Sequence, residues 1–282
     1  MRRTLLSAVL VVAAMAFLAT LKGSPYVLVA QNAAPSAVPR AADGHPDLSG
    51  VWWPGSDLRV QPLTPPAPPP GGRAGGPGRG APPPRRERFV DNYNDAAKAK
   101  AKTLSDKDDP TLRCQSTAFG TLNVSLLNTG FVGQIVQTPK FMVFLSETNP
   151  TFRLIPTDGR AHRDDQPPSS RGDSVGHWDG DVFVVETKNY SDRNWMHAEG
   201  EVSFHSENMR VVERYRRIDK DTMEVEATIE DSKVLTRPWA VPKQTLKLAP
   251  FDQIMALDCS GVESAALMEA ASKQNYGRKQ QP

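Results

Sequence analysis

The chain has 282 residues, of which 39% are hydrophobic and 7% aromatic, with a formal net charge of +2. After a leader and a linker are subtracted, this length predicts one good-sized domain with a real core. The first 30 residues carry three positive charges, and residues 62–88 carry a net charge of +4. The net charge of the rest of the chain is therefore near −5. A mildly acidic body argues against a nucleic-acid partner, which requires clustered cations.

The N-terminus has the layout of a secretory leader. Arg2 and Arg3 precede an uncharged apolar run that continues to Lys22, an order typical of a signal peptide. The run is also long enough to be an anchor helix, but we favour cleavage after Ala30. Residues 1–30 are therefore predicted to be a signal peptide. The mature protein is expected to be periplasmic or secreted, without membrane association.

Residues 31–61 are predicted to form an N-terminal segment that contains the first strand. Gly50, Val51 and Trp52 form a G-x-W motif, which resembles the opening of the first strand in lipocalin-type barrels. Any edge strand with an aromatic pair is an equal alternative. We expect this strand to pair with the later sheet, because the tract that follows isolates it from its neighbours in sequence.

That tract, residues 62–88, reads PLTPPAPPPGGRAGGPGRGAPPPRRER. Proline- and glycine-rich sequence without apolar residues buries too little surface to offset the entropy of ordering. It is predicted to be a disordered linker with a basic end. A docking site for proline-reading domains is a less favoured alternative.

Residues 89–282 are predicted to form the main domain. The segment YNDAAKAKAKTLSD is typical of one short helix, capped by Asn94 or Asp95. Short runs rich in Val, Ile, Phe and Thr begin near Gly120 and predict strands. GQIVQTPKFMVFLSE indicates two strands around Thr138-Pro139, and TFRLIPTDGR indicates a third.

The stretch RGDSVGHWDGDVFVVE, residues 171–186, allows three interpretations. An adhesion tripeptide occurs by chance, and a calcium loop would need an oxygen ligand where Val175 stands. We favour a hairpin with Asp179 and Gly180 as the central residues of a type I′ turn. Its pairs would then be Trp178–Asp181, His177–Val182 and Gly176–Phe183.

A second hairpin is predicted residue by residue within SENMRVVERYRRIDKDTMEVEATIEDS, with its turn centred on Lys220. One face then carries cross-strand pairs of mostly opposite charge, which stabilise a sheet: Arg216–Glu224, Arg214–Glu226, Val212–Thr228 and Arg210–Glu230. Strand alternation turns the mostly apolar face inward: Arg217–Met223, Tyr215–Val225, Glu213–Ala227 and Val211–Ile229.

The C-terminal part predicts one or two more strands and a final helix from about Val262, where Ser260 and Glu263 form a capping box. Many short strands with tight turns predict an all-β protein, an antiparallel meander closing into a barrel with short flanking helices. The only two cysteines, Cys114 and Cys259, are expected to form a disulfide in an exported protein.

The chain resembles a family of secreted bacterial proteins of unassigned function. The family pattern joins D-x-S-G-x-W to G-D-S-x-G-x-W-x-G-D-x-L-V-V, here at residues 47–52 and 172–185, followed by an H-S-E…E-R strand and Pro-Trp. Phe183 replaces the usual leucine, and Ser260-Gly261 stands where the family tends to have His-Glu. The resemblance implies a lipocalin-like fold and does not identify a reaction or a ligand.

Glu213 is the most informative candidate, because an inward-facing carboxylate must be paired or functional. The functional interpretations are a general acid or base or a group that binds a ligand. A buried ion pair with Arg217 or with an arginine from another strand is the favoured alternative. His205 could serve as its proton-transfer partner, and His162 is placed in a loop over the barrel mouth. For these histidines, and for His197, a structural role is the favoured alternative.

Aromatic residues beside turns could stack on a ligand at the barrel mouth, although packing of the barrel ends is the favoured alternative. The ligand-binding candidates are Trp178, Trp195, Trp239 and Tyr215. No phosphate loop, C-x-x-C-H or G-x-S-x-G motif is present, and no histidine spacing supports a metal. No cofactor or metal is therefore expected.

Three functions remain open. The preferred one is an exported barrel that binds a small apolar or carbohydrate-like molecule in its interior, with Glu213 paired. The alternative is a cofactor-independent acid–base enzyme, a lyase, isomerase or hydrolase, in which Glu213 and His205 exchange protons. An envelope interaction module that uses the proline tract is the least favoured, and the oligomeric state is left open.

Overall fold

The structure, a computed structural model, describes residues 37–55, 87–105, 108–118, 132–147, 151–196 and 202–255. All of them belong to one compact unit, residues 35–282. The predicted signal peptide, most of the predicted linker, His197, Cys259 and the predicted C-terminal helix lie outside these ranges. The disulfide between Cys114 and Cys259 therefore stays a prediction.

The described residues form one nine-stranded antiparallel sheet that is nearly closed into a barrel, which confirms the predicted fold class. The strands are β1 (Gly50–Trp53), β2 (Gly133–Gln137), β3 (Phe141–Ser146), β4 (Thr151–Pro156), β5 (Asp173–Asp179), β6 (Val182–Lys188), β7 (Arg210–Arg217), β8 (Thr222–Glu230) and β9 (Trp239–Leu248). Their order in the sheet is β4-β3-β2-β1-β9-β8-β7-β6-β5. The strands β4 and β5 are the two ends of this order.

The first strand pairs with the later sheet, as expected. In the register of β1 with β2, Gly50 faces Ile135, and on the other side Trp52 pairs with Leu248 of β9. Its partners are thus the first and the last of the other strands in chain order, and β1 joins two edges that would otherwise be unpaired.

The hairpin of β7 and β8 has the predicted register over its whole length, from Arg210↔Glu230 to Arg217↔Met223. The charged pairs lie on the outer face, where Arg216 binds Glu224 at 2.8 Å and Arg210 binds Glu230 at 3.1 Å. Glu213 faces inward and is 1% exposed. The prediction that the barrel buries this carboxylate is confirmed.

The predicted register of the β5–β6 hairpin is wrong. Asp179 pairs with Val182 and Trp178 with Phe183, so Gly180 and Asp181 are the central residues. Gly180 has φ 58° and takes the first central position, as in a type II′ turn. The predicted register would have set Asp181 opposite Trp178. In the structure Asp181 instead binds Arg40.

Few helical segments accompany the sheet in the described part of the chain: α1 (Asp95–Ala101) and the 3₁₀ turns Phe89–Asn92 and Pro110–Arg113. The predicted helix is confirmed as α1, and its cap is Asn94, whose side chain accepts a hydrogen bond from the amide of Ala97 at 2.9 Å. Because the capping side chain satisfies a backbone donor without an intrahelical partner, it defines where the helix begins.

Two apolar clusters fill the structure, and a polar layer separates them along β7. Tyr215 belongs to the first cluster, with Trp52, Phe144 and Phe183 among its members. Val211 belongs to the second cluster, which includes Phe89 of the first 3₁₀ turn and Ala97 of helix α1. Glu213 lies between Val211 and Tyr215 on the same inward face, so the carboxylate sits where two apolar clusters meet.

Candidate ligand-binding site at the seam of the barrel

Side chains hold together the seam between β4 and β5, the two end strands of the sheet. Arg153 of β4 donates to the hydroxyl of Ser174 on β5 through Nε at 3.2 Å and Nη2 at 3.1 Å. One backbone bond lies beside it, from the amide of Gly159 to the carbonyl of Gly176 at 3.0 Å. The barrel is therefore closed at this seam largely by an arginine.

Arg153 also forms a buried ion pair with Glu213. Its Nη2 lies 2.7 Å from Oε2 of Glu213 and 2.8 Å from the hydroxyl of Thr187. The hydroxyl of Tyr215 donates to the other carboxylate oxygen at 2.9 Å. The side chains of the pair are 7% and 2% exposed, so each charge depends on the other to offset its loss of hydration.

The pairing of Glu213 follows the structural alternative that the sequence left open, with an arginine from another strand. Arg217, the other named partner, instead donates to the backbone carbonyls of Asp47 and Lys220. Its guanidinium lies 5.1 Å from the centroid of the Trp52 ring. Arg217 thus ties the N-terminal segment to the end of β7.

Arg171 and Tyr190 extend the polar layer. Nη1 of Arg171 donates to the carbonyl of Thr117 at 3.0 Å. Burial and the neighbouring charge of Arg153 lower the pKa of Arg171 to about 10, whereas burial raises the pKa of Tyr190 to about 12. At neutral pH both arginines are therefore charged and the phenol is neutral.

A groove of about 510 Å³ lies over the seam. We call it the seam groove and define it by the β4 residues that alternate outward, Phe152 and Leu154, together with residues from the segment 160–175. Arg153 and Ser174 line this groove as well as the polar layer. The seam groove therefore reaches from the surface to the buried charges.

His205 does not hydrogen-bond with Glu213 in the described part of the structure. Its Nδ1 lies 2.9 Å from the carbonyl of Ser206 and its Nε2 lies 3.1 Å from Oδ1 of Asn194. Burial lowers the pKa of His205. Both ring nitrogens face acceptor oxygens, and a neutral imidazole can donate to one of them only.

His162 contacts the first residue of β5 rather than Glu213. Its Nδ1 lies 2.9 Å from Oδ2 of Asp173, and its Nε2 lies 3.4 Å from Oε1 of Glu186. Asp173 also accepts a hydrogen bond from the amide of Arg163 at 3.2 Å. These contacts tie the loop after β4 to the β5–β6 hairpin, at the border of the seam groove.

The four aromatic candidates are divided between the two apolar clusters, with Trp178 and Tyr215 at the first and the other two in the second. Trp178 stacks on His45 with ring centroids 4.5 Å apart, which closes one end of the barrel with the N-terminal segment. Trp195 and Trp239 are buried in the second apolar cluster, and Tyr215 is buried beside Phe144. These contacts correspond to packing of the barrel ends, the alternative that the sequence favoured.

Sequence reasoning missed Arg153 and its hydroxyl partners, although a signal for the arginine existed. In TFRLIP, strand alternation gives Arg153 the same direction as Ile155, which is fully buried. An arginine at an inward position is expected to find a buried acid. Nothing in the local pattern of β5 or β6 indicated Ser174 or Thr187 as its partners.

In the described ranges, no helix is long and apolar enough to cross a membrane, and no cluster of three or more His, Cys, Asp or Glu residues is arranged to hold a metal ion. Comparisons with protein-family models, with curated proteins and with solved structures found no match. The resemblance to secreted bacterial proteins therefore stays a prediction that rests on its motifs.

Proposed function

We propose that this protein is an exported barrel that binds a small organic molecule in the seam groove. The observation that carries the proposal is a concave site of about 510 Å³ that joins exposed apolar side chains to buried charged groups. Pockets of this size suit small ligands, and this one combines arginine and serine side chains with the apolar Phe152 and Leu154. The resemblance based on sequence motifs supports a barrel of this kind but does not identify its ligand.

The seam groove replaces the barrel interior as the proposed place of binding. Inside, Trp52, Phe144 and Phe183 pack together in the first apolar cluster and are at most 1% exposed. A ligand there would have to displace side chains that are already packed at the density of a protein core. In contrast, Phe152 is 66% exposed and Leu154 is 50% exposed, so a ligand in the groove would bury apolar surface.

Export is supported by the basic and apolar order of residues 2–22. An envelope location would bring the protein into contact with molecules taken up from outside the cell. Expression with and without residues 1–30, followed by fractionation, tests this part. Mature protein in the periplasm or medium, dependent on those residues, is expected, and retention of both forms in the cytoplasm would refute export.

Acid–base catalysis by Glu213 and His205 is the weaker candidate. The two oxygens of Glu213 accept hydrogen bonds from Arg153 and Tyr215, so both are already occupied by neighbouring side chains. His205 contacts other partners. The contacts of Glu213 are those of a group that closes the barrel, and they favour binding over catalysis.

The test is native mass spectrometry of the mature protein purified from its own host, compared with two variants. Phe152→Ser removes apolar surface from the seam groove, whereas Ile218→Ser removes a half-exposed apolar side chain after β7. We expect the wild type and Ile218→Ser to retain the same small molecule and Phe152→Ser to lose it. Retention by Phe152→Ser, or an empty wild type that no compound of a metabolite panel stabilises against heat, would refute binding in the groove.

A further inference from the structure

The lining of the seam groove has an excess of positive charge. Its lining contains one carboxylate, Asp173, and four arginines, Arg153, Arg160, Arg163 and Arg171. Asp173 already accepts from His162 and from a backbone amide. The groove thus presents guanidinium groups, which are suited to bind planar anions through paired hydrogen bonds.

The two arginines at the rim can change partners at low cost. Arg160 binds Asp158 and Arg163 binds Asp165, and all four side chains are at least half exposed. Exposed ion pairs of this kind contribute little to stability, because water competes for both charges. An anion that enters the groove can therefore take over donors of Arg160 and Arg163.

Arg171 adds a further cation at the floor of the groove, beside the ion pair of Arg153 and Glu213. Arg153 and Arg171 are close enough that the charge of Arg153 helps to lower the pKa of Arg171. An anion that binds beside Arg171 offsets this repulsion, in addition to the attraction that Glu213 already provides. Electrostatic attraction at this depth is stronger than at the rim, because the surroundings are less polarisable than water.

The opposite wall is apolar. Phe152 and Leu154 project outward from β4 into the groove and are largely exposed. Large exposed apolar side chains beside a polar site are typical of ligand-binding surfaces. One side of the groove thus fits a charged group, and the other fits a hydrocarbon chain or ring.

We infer that the ligand class of the seam groove is an amphipathic organic carboxylate, with its carboxylate at Arg171, Arg160 and Arg163 and its apolar body on Phe152 and Leu154. This inference rests on the proposed binding function and names its substrate class. The carboxylate replaces the water and the exposed partners of the rim arginines, and the apolar body removes the β4 wall from water.

The test uses two dyes that share one ring system, the anion 8-anilinonaphthalene-1-sulfonate and neutral 1-anilinonaphthalene. Fluorescence titration of the mature protein is expected to give about tenfold tighter binding of the anion, since a charge-assisted contact is lost in the neutral dye. Decanoate should displace the bound anion, and decanol at the same concentration should not.

Variants locate the binding. The double variant Arg160→Gln/Arg163→Gln is expected to bind the anionic dye about tenfold more weakly and to bind the neutral dye with nearly unchanged affinity. The matched control, Arg214→Gln/Arg216→Gln, removes the same charge from exposed positions of β7 and should change neither. Because both pairs are exposed, thermal unfolding should show that all variants fold.

The outcomes separate the inference from the function on which it rests. Equal affinity for both dyes, lost in Phe152→Ser, would overturn the carboxylate class while binding in the groove stands. An equal loss in the rim and control variants would show unspecific attraction and would also overturn it. Failure of both dyes to bind, or binding that Phe152→Ser does not change, would count against the function as well.

Discussion

The ion pair between Arg153 and Glu213 offers the sharpest test of how the barrel is closed. Glu213→Gln keeps the shape of the side chain but removes its charge. It also turns an amide NH₂ toward either Arg153 or the hydroxyl of Tyr215, both of which donate to Glu213 in the wild type. The variant therefore leaves a buried guanidinium without its carboxylate.

The expected loss is large because both side chains are nearly fully buried. Removal of one partner from a buried pair costs about 3–5 kcal/mol of unfolding free energy. For a domain of this size, that corresponds to a fall in Tm of roughly 6–20 °C. Replacement of both partners, Arg153→Met with Glu213→Leu, should recover much of this. About 1–3 kcal/mol remains lost, because Ser174 and Thr187 lose a partner.

Urea unfolding of the mature protein, followed by tryptophan fluorescence, measures these differences. The matched control is Glu230→Gln, whose carboxylate pairs with Arg210 on the outer face and is 46% exposed. It is expected to change stability by less than about 1 kcal/mol. Equal and small losses for Glu213→Gln and Glu230→Gln, or a double replacement as unstable as the single one, would refute the argument.

Three further predictions concern pH, turn geometry and helix capping. The hydrogen bond from Arg210 holds the pKa of Glu186 at about 2, so its stabilising effect is present above its unfolded value near 4.5 and is lost as pH falls toward 2. Glu186→Gln should thus lower unfolding free energy by about 1–3 kcal/mol at pH 7, and urea titrations of the variant and wild type should converge at pH 2. Gly172→Ala should destabilise the protein more than Gly180→Ala, by about 1–3 kcal/mol. Both glycines have positive φ, but only at Gly172 would a Cβ lie 2.5 Å from a backbone oxygen. A smaller loss of stability at Gly172 in thermal unfolding would contradict this. Asn94→Ala should cost about 1 kcal/mol through the lost helix cap, and an unchanged urea midpoint would contradict it.

The sequence alone determined those parts of the fold whose information is local. The β7–β8 register follows from charges and apolar residues on two strands joined by a short turn, where a slip of one residue would reverse both faces. The same register settled that Glu213 faces inward. The cap of α1 at Asn94 is local as well, because the side chain bonds an amide three residues later.

The turn of β5 and β6 shows where local patterns are insufficient. The Asp-Gly pair favoured a turn centred one residue earlier than the observed turn at Gly180-Asp181. In the observed register, the ring of Trp178 packs 5.1 Å from that of Phe183 and stacks on His45. Asp181 binds Arg40 from the N-terminal segment. Contacts from distant parts of the chain thus outweighed the preference of the turn.

Only the tertiary structure decided the partner of Glu213 and the location of the groove. Arg153 is 60 residues away in sequence and reaches Glu213 because β4 and β5, the ends of the sheet, meet across a seam. Alternation along a strand specifies which side a residue faces, but not which strands become neighbours. That choice depends on how the whole sheet curls, since only the approach of β4 to β5 brings Arg153 to Ser174 and Glu213 and removes the buried charges from water.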